Sequence, residues 1–293
     1  MNSITVLPSN YHSELKLDRG NIFSPESWLS KSTVFELYQS SLYKWRYFPR
    51  EFKPTPSMAW GSLVDTIITA PEDLHTQFAI NPFDSFRSKE ARDWKAEMIE
   101  ANKTIIDTEL IDEAHKAVEV LKKKHKYAAS IIEKSKCQVM LLNKVKHPAA
   151  PDKEVQLKGL VDLAPEGEPF LVDLKTTVDI TPRGIASTMS RFNYGGQAAL
   201  YLQLWNSLHP HDQRDRFQFL FQESSAPYEV VPVEMPQADI AAGADMFNHL
   251  LGKLVRATAR GYWPMRFEKP VLLGRSSSGQ YADEDELDGL TEI

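Results

Sequence analysis

Residues 154–177 read EVQLKGLVDLAPEGEPFLVDLKTT. Two apolar runs flank the polar break Pro165-Glu166-Gly167-Glu168-Pro169, the pattern of an antiparallel hairpin closed by a short turn. With the turn centred on Glu166 to Glu168, Asp162 and Asp173 stand across from one another to within one residue. Directly opposed carboxylates repel and weaken an ordinary sheet. Side chains alternate along a strand, so Asp173 and Lys175 share one face, while Phe170, Val172 and Leu174 point the other way into a core. The polar face of the hairpin therefore gathers two carboxylates and one ammonium.

Such a grouping has a chemistry. Mg²⁺ and similar hard divalent ions prefer oxygen ligands. A lysine beside such an ion can orient or deprotonate a water, and the ion polarises a phosphoryl oxygen and neutralises a leaving alkoxide. The pattern fits phosphodiester hydrolysis. The tripeptide alone decides nothing, since Asp/Glu-x-Lys also occurs as Glu14-Leu15-Lys16, Glu51-Phe52-Lys53 and Asp93-Trp94-Lys95, where a surface ion-pair pattern suffices. The 173–175 copy differs in ending an apolar strand, in having a second Asp in register, and in being followed by Thr176 and Thr177.

Outward from the hairpin, a helix is expected to open at Ser30 or Ser32 and run to Phe48, where Pro49, Pro54 and Pro56 break it. Further helices are expected over Met58–Thr69, Lys89–Asn102 and, as one long element, Glu109–Ser135; a strand follows over Lys136–Val145. Beyond the hairpin come a helix over Asn193–Leu208, strands over Arg216–Glu223 and Tyr228–Glu234, and a helix over Gln237–Arg260 that Gly261 ends. This order predicts an α/β fold whose central mixed, mainly antiparallel sheet is flanked by helices, not a doubly wound parallel sheet. One domain is expected over residues 1–275: a helical N-terminal part (about 28–135), a sheet core (about 136–235) and the C-terminal helix (about 237–260). The tail, 276–293, is expected to be disordered.

Composition removes other classes. Of 293 residues, 42% are hydrophobic and 25% charged, an ordinary globular balance. A single cysteine, Cys137, rules out a disulfide framework, a Cys-rich zinc site and a four-Cys iron–sulfur cluster. No apolar run approaches the ~20 residues of a membrane span, and the N-terminus lacks a basic segment followed by an apolar core. A cytoplasmic protein with no membrane partner is expected. The formal charge of −6 belongs to the tail, which holds Asp283, Glu284, Asp285, Glu286, Asp288 and Glu292; without them the body carries 34 acids and 34 bases. A neutral body can still present a basic cleft. The eight histidines show no metal-ligand spacing, and Lys122 to Lys124 with Lys126 read as a solvated helix face. Tyr43-Lys44-Trp45-Arg46-Tyr47 suits base stacking and phosphate contact, although a helix end with core aromatics accounts for it better.

Two more pieces complete an ordered set. Gln197 and Tyr201 are four apart and share a helix face, and Gly61-Ser62-Leu63-Val64-Asp65 lies on a short helix after a Pro-rich loop. The order Gly-x-x-x-(His), Asp, Asp/Glu-x-Lys, Gln-x-x-x-Tyr resembles the RecB-like branch of the PD-(D/E)XK nucleases, which have a restriction-endonuclease-like core. The likeness is greatest to RecE-type phage exonucleases, through MAWGSLVDTIITAPEDLHTQFAI (58–80), GLVDLAP (159–165) and FLVDLKTTVDI (170–180), and spans about residues 28–265.

The resemblance implies that Asp162, Asp173 and the Leu174 carbonyl ligate Mg²⁺ or Mn²⁺. Lys175 would position the attacking water, and Gln197 and Tyr201 would support the site and contact the DNA backbone. Asp65 stands where the family usually has His, and a carboxylate ligates these ions at least as readily. By resemblance the chain digests duplex DNA from its ends, 5′ to 3′, leaving 3′ single strands for a single-strand annealing recombinase in phage-type recombination. A trimeric or tetrameric ring is known among related exonucleases. An endonuclease of restriction or repair type, and a degenerate module that binds DNA or protein without cutting, remain the alternatives; Asp65 keeps the second alive.

Overall fold

The computed structural model describes residue 11 and residues 13–50, 55–268 and 270, so the tail expected to be disordered lies outside the described residues. In chain order the strands are β1 (Trp28–Leu29), β2 (Phe78–Ile80), β3 (Thr104–Ile106), β4 (Ser135–His147), β5 (Ala150–Pro165), β6 (Phe170–Thr177), β7 (Arg216–Glu223) and β8 (Val230–Glu234). The helices are α1 (Lys31–Phe35), α2 (Leu42–Tyr47), α3 (Pro56–Thr69), α4 (Leu74–Gln77), α5 (Lys89–Glu100), α6 (Thr108–Glu119), α7 (Lys126–Glu133), α8 (Pro182–Arg191), α9 (Tyr194–Leu208) and α10 (Gln237–Arg260).

The predicted hairpin is the centre of the main sheet, ordered β1-β5-β6-β7-β8 with β4 also on β5. Leu163 pairs Val172, the register that sets Asp162 opposite Asp173. The sheet is mixed: β4–β5, β5–β6 and β7–β8 are antiparallel, while β1–β5 and β6–β7 are parallel. A parallel pair needs a crossover. Here α8 and α9 supply it, and the sequence reading had no element at α8. A separate two-stranded sheet, β2–β3, was also not anticipated; its strands are three residues each.

Strand alternation sends apolar side chains to both sides. Leu171, Phe217, Phe219 and Phe221 join a core with α9 and α10, whereas Phe170, Val172 and Leu220 join a core with α3, α6 and α7. Two expected helices prove broken. Ser30 caps α1 with a capping box to Thr33, as expected, but the helix tightens over Glu36–Gln39 and stops at an extended Ser40; Ser41 then caps α2. The long helix divides into α6, a π-helical turn Val120–Lys124, and α7, which His125 caps.

α9 and α10 meet backbone to backbone. A Cβ on Gly243 would lie 2.2 Å from the Gly195 carbonyl carbon, and one on Gly195 would lie 2.5 Å from the Asp239 carbonyl oxygen. No real Cβ sits that close, so these positions require glycine. The contact seats α9 firmly behind β6 and β7.

Candidate active site

Four elements converge at the C-terminal half of β6. Alternation puts Asp173 and Lys175 on the α9 side, where Asp173 is 2% exposed and Lys175 pairs with its Oδ2. Asn193 caps α9 in a left-handed conformation, φ 50°, and one turn later the Gln197 amide donates to Asp173 Oδ1. Asp173 Oδ2 makes no hydrogen bond of regular geometry and is held by the Lys175 ammonium alone. From β5, Asp162 Oδ2 accepts the Leu174 backbone N–H at 2.8 Å, which also brings the Leu174 backbone to the site. From the opposite layer, α3 carries Asp65, capped at its start by Thr55 with Pro56 in the first turn. The Asp65 carboxylate accepts from Gln138 on β4 at 3.1 Å and from Thr69 at 3.4 Å.

The three carboxylates feel one another. Burial first, then the charges of Asp173 and Asp65, holds the Asp162 carboxyl well above the usual carboxylate range, against Lys175 and the Leu174 amide. Burial, then Asp173, pushes Asp65 up to about 6, and Lys175, Thr69 and Gln138 offset this only in part. Burial would lower the Lys175 ammonium, but Asp173 and its neighbours more than offset that and hold it above the ordinary lysine value.

The structure thus brings together Asp65, Asp162, Asp173, Lys175, Gln197 and the Leu174 backbone. It does not bring the Tyr201 hydroxyl to the carboxylates. Tyr201 packs against Phe217 and beneath Gly159, where a Cβ would lie 3.0 Å from its ring, and the Leu160 backbone N–H donates to its hydroxyl oxygen. Its place is inside the core between α9 and the sheet, one turn along α9 from Gln197, where it supports the site without a hydrogen bond to the carboxylates. The aromatic–basic stretch at 43–47 divides: Trp45 is buried and stacked on Trp263, while Tyr43, Tyr47 and Phe48 form a ring cluster whose last two members are exposed.

Lys31 is a residue the sequence reading missed. It begins α1, donates to the Phe192 carbonyl, and stands 5.7 Å from the centre of the Tyr194 ring, which Lys175 approaches to 5.2 Å. Burial first, then Lys175, pulls its ammonium down to about 8, against Asp173. A half-buried ammonium held by a carbonyl and the rings of Phe35 and Tyr194 would have been found only by asking which capped helix start faces the hairpin.

Among the described residues no three His, Cys, Asp or Glu side chains are placed so that together they could hold a metal ion. Each carboxylate is turned onto a protein donor instead. The donor set itself is all oxygen, desolvated and in excess over the paired ammonium, which is the chemistry a hard divalent cation compensates. The fit is therefore one of charge and donor type.

A pH dependence follows for Asp65 in metal-free buffer. Its carboxyl titrates near 4 in the unfolded chain and at about 6 in the folded one. The folded state binds the extra proton between these values, so this group's contribution to stability is full below pH 4 and is lost as pH rises through 6. Melting curves in a chelator should show the native chain losing stability over that window relative to Asp65→Asn. A parallel decline in both would take Asp65 out of the cluster.

Among solved structures, a provisionally named exonuclease from Eubacterium rectale matches 99% of this chain and 100% of its own, with TM-score 0.61 and 13% identity. At that identity the likeness is one of fold. A phage-related exonuclease from Haemophilus somnus 129PT matches 64% of this chain and 93% of its own at 11% identity, with TM-score 0.33. None of the curated proteins matches. A family model described as a PDDEXK-like domain of unknown function (DUF3799) matches residues 37–272. That span holds Asp65, the whole β5–β6 hairpin and α9, and the chain belongs to this PDDEXK-like family.

Proposed function

We propose that the chain is a metal-dependent deoxyribonuclease that digests duplex DNA from its ends. The observation that carries the reading is the meeting of Asp162, Asp173 and Lys175 across the hairpin, with Gln197 on Asp173, in a member of the PDDEXK-like family. Such nucleases generally use divalent metal ions. Asp65, Asp162, Asp173 and the Leu174 carbonyl would hold Mg²⁺ or Mn²⁺, which supplies charge stabilisation at the scissile phosphate. Lys175, already fixed beside Asp173, would orient the attacking water. Gln197 would hold Asp173, and Tyr201 would brace β5. The end-dependent mode draws its support from the full-length fold match to the Eubacterium rectale protein and from the resemblance to RecE-type enzymes, which also suggests 5′-to-3′ digestion, 3′ single-strand products for an annealing recombinase, and a ring assembly. No helix of the described residues is long and apolar enough to cross a membrane.

The test is end-labelled linear duplex against closed circular duplex with Mg²⁺ or Mn²⁺. Loss of linear DNA with circles spared is expected. Cleavage of circles would make it an endonuclease. A module that binds DNA without cutting is the second reading, favoured by carboxylates that are all engaged by protein donors; binding with neither substrate consumed would establish it. Lys31 offers a separate check. Lys31→Ala is expected to raise KM for DNA about tenfold with a smaller change in kcat, since it removes a cation beside the site without touching a proposed metal ligand. An unchanged KM would leave Lys31 with a structural role only.

A further inference from the structure

Gln138 has a backbone conformation that its strand does not call for. Its φ is 50°, in the left-handed region, yet it lies within β4. Glycine enters that region freely, and among L-residues mainly asparagine and aspartate do. The other described non-glycine residues with positive φ, Asn102, Asn193 and Tyr228, lie outside the strands. Pairing of β4 with β5 keeps one register on both sides, Cys137 with Leu163 and Val139 with Val161, but the pair between them, Gln138 with Asp162, is missing. The chain therefore gives up both strand pairing and a relaxed backbone at this residue.

The distortion gains a pair of hydrogen bonds. An extended Gln138 would stand directly across from Asp162. Turned as it is, its Nε2 donates instead to Asp65 Oδ2 at 3.1 Å and to Thr69 Oγ1 at 2.8 Å. Thr69 in turn donates to the Asp65 backbone carbonyl at 2.8 Å. One amide thus clamps the carboxylate and the residue one turn below it, and ties α3, from one helical layer, to the strand next to Asp162.

We propose that Gln138 is a positioning residue that fixes the Asp65 carboxylate toward Asp162 and Asp173 and so sets the affinity of the site for a divalent cation. This rests on the reading of the three carboxylates as the metal-holding set. Strain retained in a folded protein at a residue whose side chain serves a polar cluster is the usual mark of such a role, and partners that orient a metal ligand are worth about 10–100-fold in affinity.

The experiment uses the full chain with Mn²⁺ or Mg²⁺ alone, reading ion affinity by calorimetry and the ion-induced rise in melting temperature, without DNA. Gln138→Gly removes the amide while glycine accepts the positive φ freely, so the apo protein should melt no lower than native. Its ion affinity should fall by about 10–100-fold. Gln138→Asn also tolerates this φ but falls one methylene short, and should lose affinity similarly. Because Gln138 acts through Asp65, Gln138→Gly combined with Asp65→Asn should bind no more weakly than Asp65→Asn alone. Affinity in Gln138→Gly within about twofold of native, or losses that simply add in the combined variant, overturns the proposal while the metal site stands. A native chain that binds neither ion overturns the metal reading itself, and the proposal with it.

Discussion

Asp173→Ala is expected to stop DNA hydrolysis, with a rate loss on the order of a thousandfold or more, because it removes a central carboxylate worth several kcal/mol in the transition state. The same change unsettles the fold, and the two effects can be separated. Asp173 is almost fully buried and its partner Lys175 is largely so. Removing one member of such a pair strands the other and costs roughly 3–5 kcal/mol, whereas replacing both by neutral groups of similar size is often harmless. Asp173→Asn combined with Lys175→Met should therefore recover most of the melting temperature lost by Asp173→Ala, yet stay inactive. Labelled-duplex digestion and melting curves on the three proteins check this. Near-native digestion by folded Asp173→Ala would remove Asp173 from the site.

The second large effect is expected far from the carboxylates. Gly243→Ala places a methyl against the backbone of Gly195 and Gly196, where no side chain can swing aside. Overpacking of this kind costs up to about 3 kcal/mol, or roughly 6–12 °C in a protein of this size. The only relief is for α9 to move, and α9 carries Gln197. A shift of about 1 Å there should lower activity on the order of tenfold to a hundredfold. Gly252→Ala, on the same helix, is the control. Its new methyl would meet the His147 ring at 3.0 Å, a side chain that can rotate, so stability and activity should change little. Equal losses in the two variants would show that helix α10 tolerates no added methyl anywhere, and that the Gly195 contact is not special.

Much of the core of the site was legible because it is local. A short turn between two apolar runs fixes the hairpin register, and alternation then fixes which side chains share a face; that is why Asp162, Asp173 and Lys175 could be grouped from the sequence. The four-residue spacing of Gln197 and Tyr201 gave their common helix, but not which of the two reaches the carboxylates, since that depends on how α9 sits against the sheet. The breaks at Ser40 and at Val120–Lys124 carry no proline or glycine, so nothing local announced them. Gln138 was illegible for the same reason: a glutamine does not advertise a positive φ. Lys31 depends on a contact between residues 161 positions apart, beyond the reach of spacing rules.

The crossover between β6 and β7 has a consequence for synthesis of the chain. Strand β6 ends at Thr177 and its parallel neighbour β7 begins at Arg216. At ~5–20 residues per second on the ribosome, the second strand follows the first by roughly 2–8 s. During that interval one edge of Phe170-Leu171-Val172 has backbone donors and acceptors with no mate, which is a template for pairing with another nascent chain. The strand that bears Asp173 and Lys175 is thus open to misassembly as it is made, and slower initiation or a lower growth temperature should favour soluble product.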